Sequence, residues 1–268
     1  MKKTIITTIA LALLALAGQA QCTFKNTAFN GGEFLSYNLY YNWQFVWVKA
    51  GSASMTTVKS RYKGKEAYRA SLTTRGNNKV DEMFVLRDTL LAYSSLDMAP
   101  LYFRKGAREG SRYTVDEVWY DYSGGKCNLT QKRLRKDGTS KTIHNSREDC
   151  VFDMLNIFLR ARSFNPEGWK KGNTLNIPIA DGKDIQKAQL VYNGKSTIKA
   201  DNGKKYRCLE LSYKELEDGK YKEIVRFYVT DDQNHIPVRL DMFLKFGSAK
   251  AFLTSVKGNR NPMTAVVK

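Results

Sequence analysis

The sequence is short of several residue types on which chemistry depends. It has two histidines, His144 and His235, in 268 residues. A Ser-His-acid triad or a histidine-rich metal site therefore has at most two imidazoles to draw on. No G-x-S-x-G elbow and no glycine-rich phosphate loop occurs. The four cysteines, Cys22, Cys127, Cys150 and Cys208, match no zinc spacing. No Pro- or Ser-rich linker divides the chain, and after the first twenty residues no segment is apolar enough to span a bilayer. Acids are also scarce, at 26 Asp and Glu against 44 Lys and Arg, for a formal charge of +18.

What is present begins with MKKTIITTIALALLALAGQA. A basic start, an apolar stretch from Ile5 to Ala17, and small residues at Gly18 and Ala20 form a secretory signal peptide too short to span. Cleavage is expected after Ala20, giving an exported, periplasmic chain. Gln21 before Cys22 lacks the small residue that a lipobox needs. Removing Lys2 and Lys3 lowers the charge from +18 to +16. Export turns the usual reading of such charge away from nucleic acid and toward anionic lipid or glycan. The competing reading is that spread charge only confers solubility. The densest basic run, residues 131–141, surrounds a Lys-Asp-Gly turn and reads as a solvated hairpin tip. An oxidising compartment permits disulfides. Cys127 with Cys150 is the expected pair, against the alternative that Cys150 is a free core thiol on a helix.

Alternation is the dominant pattern. Every odd position from Leu35 to Trp47 is apolar or aromatic, as in one long strand or two strands across a bend. Ala50-Gly51-Ser52-Ala53 follows, where small residues permit close packing or a bulge. Strand-like segments cover 66–74, 79–87, 89–95, 112–122, 126–135, 174–179, 187–192, 195–200, 205–215, 222–230, 236–245 and 249–257. Turn pairs between them include Asn77-Asn78, Gly124-Gly125, Asp137-Gly138, Asn193-Gly194, Asn202-Gly203 and Asp218-Gly219. One segment departs from this. Residues 149–162 place Val151, Met154, Leu155, Phe158 and Leu159 on a helical face, with Ser146 and Asp149 as the start of a capping box. The fold expected is all-β with one central helix, in a strongly curved, spiral or barrel-like antiparallel sheet. Residues 32–257 form this single domain, 21–31 a flexible N-terminus and 258–268 a tail.

Four short motifs carry a resemblance. They are Gly32-Glu33-Phe34-Leu35-Ser36-Tyr37; Ala50-Gly51-Ser52-Ala53; a helix motif through Asp153, Leu155 and Arg160; and Thr230-Asp231-Asp232 with Ile236-Pro237-Val238-Arg239 and Gly247. In this order the chain resembles the exported bacterial proteins of the domain-of-unknown-function 3108 family, from Gly32 to about Val256. The resemblance implies a cell-envelope protein with a spiral-like antiparallel β architecture around a helix. It brings no catalytic residues.

The residues support no catalytic constellation, metal site or cofactor. In VTDDQNHIPV, Asp231 and Asp232 are read as turn formers and His235 as incidental. Strand acids Glu33, Glu82, Glu117 and Asp241 leave a hydrolase acting on glycan or lipid as an alternative. A third reading is a structural protein that pairs through exposed edge strands. The leading expectation is a non-enzymatic envelope protein that holds an amphiphilic or glycan ligand between an aromatic sheet face and the helix. Its candidate site residues are Tyr37, Tyr41, Trp43, Phe45, Trp47, Trp119 and Phe158.

Overall fold

The computed structural model describes residues 22–43, 46–82, 84–244 and 247–267, with Trp43 described in its backbone alone. Alternating burial and Gly-containing turns produce two antiparallel meanders. The first runs through β1 (Glu33–Trp43), β2 (Val46–Tyr62), β3 (Lys65–Gly76), β4 (Leu86–Ser95), β5 (Pro100–Glu109), β6 (Arg112–Ser123), β7 (Lys126–Arg135) and β8 (Ser140–Arg147). The second runs through β9 (Thr174–Ala180), β10 (Ile185–Lys199), β11 (Lys205–Glu217), β12 (Lys220–Thr230), β13 (Pro237–Phe243) and β14 (Ser248–Lys257). Pairing of β1 with β14 joins them into one sheet, and β15 (Val266–Val267) adds to β11. The ends of the sheet are β8 and β9.

The sheet curls without closing. The β9–β10 turn reaches the face of β6 and β7 that also buries Val118, Tyr120 and Leu129. There the Gly182 N–H donates to Gln131 Oε1 at 3.1 Å. Gly182 has φ +87°, and a Cβ on it would stand 2.6 Å from Asp116 Cβ, so only glycine fits. The second end of the sheet therefore lies inside the curl of the first, as in a spiral.

Helix α2 (Met154–Ala161) enters this curl, while α1 (Asn78–Asp81) is a single turn between β3 and β4. Leu155 and Leu159 of α2 join Leu35, Tyr37, Phe103, Val118 and Leu253. Ile157 joins Phe152, Ile177, Ile179, Leu209 and Leu211. The helix thus fills the interior from both sides. Its start differs from the expected one. Asp153 is the cap, accepting from the N–H groups of Leu155 at 3.0 Å and Asn156 at 2.9 Å, while Ser146 belongs to β8. Met154 points outward and is exposed.

Other expectations also need correction. The strand expected over 79–87 is present only at Leu86 and Arg87, the start of β4: Asn77 Oδ1 accepts from Val80 N–H and starts α1, which ends at Asp81. Asn193-Gly194 is no hairpin but a bulge within continuous β10. The alternation from Leu35 to Trp47 crosses the β1–β2 hairpin. Strands β5 and β8, and β2 beyond Trp47, lie outside the expected strand segments. The Gly51 position is as tight as its small neighbours suggest, since a Cβ there would meet Arg75 O at 2.1 Å.

The terminal segments are packed rather than free. Ala28 and Phe29 are fully buried, as is Ala265 near the other end. The disulfide joins Cys22 to Cys150, not Cys127 to Cys150. Cys127 and Cys208 are buried free thiols, and burial pushes the thiol of Cys208 up to about 12.

One buried ion pair ties these pieces together. Arg162, at the C-terminal end of α2, donates to both oxygens of Glu33 at 2.5 and 2.9 Å, and the two side chains are 1% and 2% exposed. Arg162 also donates to Asn234 O at 3.2 and 3.0 Å and stands over the Phe29 ring. Asn234 binds the C-terminal segment, donating to Asn261 O and accepting from Asn261 N–H. Asn261 in turn donates to Thr27 O. Four separate chain segments meet here.

Two outcomes are expected. Arg162→Leu strands the Glu33 carboxylate and should cost about 3–5 kcal/mol in urea unfolding, with part regained on adding Glu33→Met. Thiol labelling should find no reactive group in the native protein, two after denaturation without reductant and four after reduction.

Candidate functional site on the outer face of the sheet

The first candidate is VTDDQNHIPV, with its acids around a rare histidine. Its groups bind the fold. Asp232 Oδ1 accepts from Thr230 Oγ1 at 2.8 Å and Asn234 N–H at 3.0 Å, and Oδ2 accepts from Ala265 N–H. Asp231 pairs with Lys195 at 2.8 Å. His235 is not incidental. It sits at φ +42°, is buried, donates from Nδ1 to Arg162 O at 2.6 Å, and stacks on Phe164. Among the described residues no group of three His, Cys, Asp or Glu is placed to hold a metal.

The expected strand acids are occupied separately. Glu33 is in the buried pair, Asp241 binds Arg239, and Glu117 accepts from Tyr102 Oη at 2.6 Å. Glu82 lies at the end of α1, not in a strand.

The expected ligand residues do not converge. Tyr37 is in the core and donates to Pro237 O. Phe158 packs on Phe227 across the helix–sheet contact. Tyr41 is half-buried, whereas Trp47 is exposed beneath the Lys250 ammonium. Phe45 lies outside the described residues, and Trp43 is placed only as the last residue of β1. The space expected between sheet and helix is filled by Leu35, Leu155, Leu159, Ile236 and Leu253. A concave region of about 480 Å³ lies instead on the opposite face of β1 and β2. Its lining is mainly polar, with Ser36, Asn38, Ser52, Ser54, Thr73, Arg75 and Thr254 beside Tyr37 and Ala53, whereas ligand pockets are usually walled by apolar side chains.

Trp119 belongs to a different assembly. Strand register sets Arg69, Tyr93, Tyr102, Trp119, Thr130 and His144 directly opposite one another on β3 through β8. Their neighbours Ala92, Phe103, Val118 and Leu129 are buried, so alternation turns this row to the outer face. Tyr62 joins from β2, stacked on Tyr102 at 15° and 6.0 Å, with Tyr93 at 5.1 Å. Trp119 lies 5.6 Å from Tyr102. All four rings are half-buried. Arg104 and Lys132 flank Glu117 in the adjacent row. Six strands at about 4.8 Å spacing give a strip roughly 24 Å long. Partial burial pushes the Tyr62 and Tyr102 phenols up, and the Glu117 carboxylate adds to the shift at Tyr102, so both stay neutral donors. Apolar ring faces edged by hydroxyl, guanidinium and ammonium groups suit a ligand that is apolar in its faces and polar at its rim. The alternation at Trp119 is legible in the sequence, but Tyr93 and Tyr102 join it only through register across hairpins, and Tyr62 only through the packing of its ring on theirs.

These features define a curled, open antiparallel β protein with a filled interior and an aromatic strip outside. The chain belongs to the family described as "Protein of unknown function (DUF3108)", whose profile matches residues 36–254. A solved beta-barrel-like protein of domain of unknown function DUF1849 from Brucella abortus is similar to it in fold. The TM-score is 0.57 at 12% identity, over 86% of this chain and 98% of that one. A protein of YmcC-like fold from Bacteroides fragilis aligns at TM-score 0.37 and 10% identity, over 88% and 100%. No curated protein matches. Among the described residues no helix is long and apolar enough to cross a membrane.

Burial holds the His235 imidazole below its ordinary value, against the raising effects of the Arg162 carbonyl and Asp232. Below about pH 6.5 the unfolded chain then takes up a proton that the folded chain refuses, so stability falls with pH. Asp153 and Asp88, whose carboxyls burial pushes up to about 6, act in the opposite sense over pH 6 to 4. His235→Asn tolerates the positive φ. The wild-type minus variant unfolding free energy should therefore decline between pH 7.5 and 5.5 as the imidazole titrates.

Proposed function

We propose that this is an exported, non-catalytic cell-envelope protein that binds an anionic envelope glycan along the outer strip Tyr62–Tyr93–Tyr102–Trp119. The observation that carries the reading is the aromatic row Tyr93–Tyr102–Trp119 in register across β4, β5 and β6, with the Tyr62 ring stacked against it. Pyranose rings offer weakly polar C–H faces to aromatic planes and hydroxyls to the rim. Arg69, Arg104 and Lys132 supply cations for carboxylate or phosphate groups on the sugar. Export is supported by the signal-like first twenty residues, and the Cys22–Cys150 disulfide suits an oxidising compartment. The filled interior favours this surface over a buried acyl chain. The engaged states of Glu33, Glu117 and Asp241 favour binding over hydrolysis.

The test is binding of the purified protein to peptidoglycan fragments and to phosphorylated or uronic-acid oligosaccharides, followed by tryptophan fluorescence and calorimetry. Trp119→Ala and Tyr102→Ala should each weaken binding about tenfold, equivalent to about 1.4 kcal/mol, with the far-ultraviolet circular dichroism unchanged. Equal binding by both variants, or no binding to any such glycan, would overturn the proposal.

A further inference from the structure

Strand direction alternates along the sheet, so the β1–β2 and β13–β14 hairpins lie at the same end. They are neighbours because β1 pairs with β14 up to Tyr41 and Ala249. This end is opposite the one that carries the Arg162–Glu33 pair.

The exposed residues here break the pattern of the rest of the sheet. On β2, Val46, Trp47 and Val48 are 61%, 38% and 41% exposed. Consecutive strand residues point to opposite faces, so both faces of this tip are apolar and both are uncovered. Phe243 and Leu244 across the tip are 43% and 50% exposed. A docking groove on a protein covers one face of a strand. A lipid interface surrounds an inserted tip on both.

The unpaired charge on the two tip strands is basic. The acids that come near are Asp81 and Glu82 at the end of α1, which docks on Lys49 O through Asn77, and Glu210 and Glu223, which hold the Arg226 guanidinium over the Phe243 ring. Lys49 is exposed, and the Lys250 ammonium stands 4.1 Å from the Trp47 ring centroid. No Asp or Glu occurs between Glu33 and Glu66, nor anywhere after Asp241, and Asp241 is paired with Arg239. Tryptophan with phenylalanine and lysine is the composition of the membrane–water boundary, where amphipathic rings sit at headgroup level and ammonium groups meet anionic lipid. Two copies of the chain meeting tip to tip would instead bring like charges together.

We infer that these two hairpin tips seat the protein on an anionic bilayer surface, by shallow insertion of Val46, Trp47, Val48, Phe243 and Leu244 without spanning. This does not rest on the glycan proposal, since it uses a different end of the sheet.

The probe is a phosphatidylcholine vesicle with or without phosphatidylglycerol, mixed with the purified full protein and read by cosedimentation and tryptophan emission. Wild type should bind the phosphatidylglycerol vesicles with a blue-shifted emission. Val46→Ser with Phe243→Ser should weaken binding about tenfold or more at any salt. Lys49→Glu with Lys250→Glu should weaken it at low salt and lose its effect as salt rises. Val46, Phe243 and Lys49 are exposed and Lys250 is half-buried, and circular dichroism reports whether each pair folds. Absence of vesicle binding, or binding that neither folded pair affects, overturns the inference. So does a dimer in sedimentation that the same substitutions dissolve while vesicles are ignored. Glycan binding by Trp119→Ala separates the two proposals, because that variant should still sediment with vesicles.

Discussion

A buried guanidinium and carboxylate cannot be left alone, and that constraint organises this molecule. Glu33 begins β1 and Arg162 ends α2, 129 residues apart. Neither side chain reaches water, so each needs the other, and the spare donors of Arg162 need the Asn234 carbonyl. Satisfying them brings the first strand, the helix end and the β12–β13 turn to one point. Phe29 covers it, and Asn261 brings in the C-terminal segment. The open sheet has no ladder to close its curl, and this junction, with the Cys22–Cys150 disulfide, supplies closure at one end. Glu33, Asp232 and His235 are consumed by that task, while Asp231 pairs with Lys195 and Asp153 caps α2.

With the helix packed into the curl, the chemistry left available lies outside. Two surfaces stand apart from the junction. One is the aromatic strip Tyr62–Tyr93–Tyr102–Trp119 on the outer face, edged with cations. The other is the pair of apolar tips at the far end of β1, β2, β13 and β14.

Much of the architecture is legible in the sequence because alternation and Gly turns are local signals. Gly124-Gly125, Asp137-Gly138, Asn202-Gly203 and Asp218-Gly219 do mark hairpins. Strand β8 escapes notice because it is an edge strand with little buried, so it needs no apolar face. Strand β5 carries Arg104, Lys105 and Arg108 among its residues, and its Phe103 and Ala107 are too sparse a pattern. Residues 79–87 look like a strand by composition, but the Asn77 cap wins locally. Tertiary pairing is the least legible. Arg160 stacks over Phe24 and Phe152, while Arg162, two positions on, holds Glu33. Only the end of the helix meeting β1 distinguishes them. The partner of Cys150 likewise depends on where the N-terminal segment docks, at a separation of 128 residues. The aromatic strip is hidden for a related reason: it is assembled by register, which no single strand records.

The central claim is that one buried ion pair makes the two termini, the helix and the β12–β13 turn a single cooperative unit. Native-state hydrogen exchange tests it most directly, through the amides of Gly32, Ile157, Ile236 and Ala265, each of which is hydrogen-bonded or sits in this region. The account predicts that all four exchange with one common opening free energy, and that Arg162→Leu lowers all four together. Independent opening of the helix or the C-terminal segment, with the others unchanged in that variant, would contradict it.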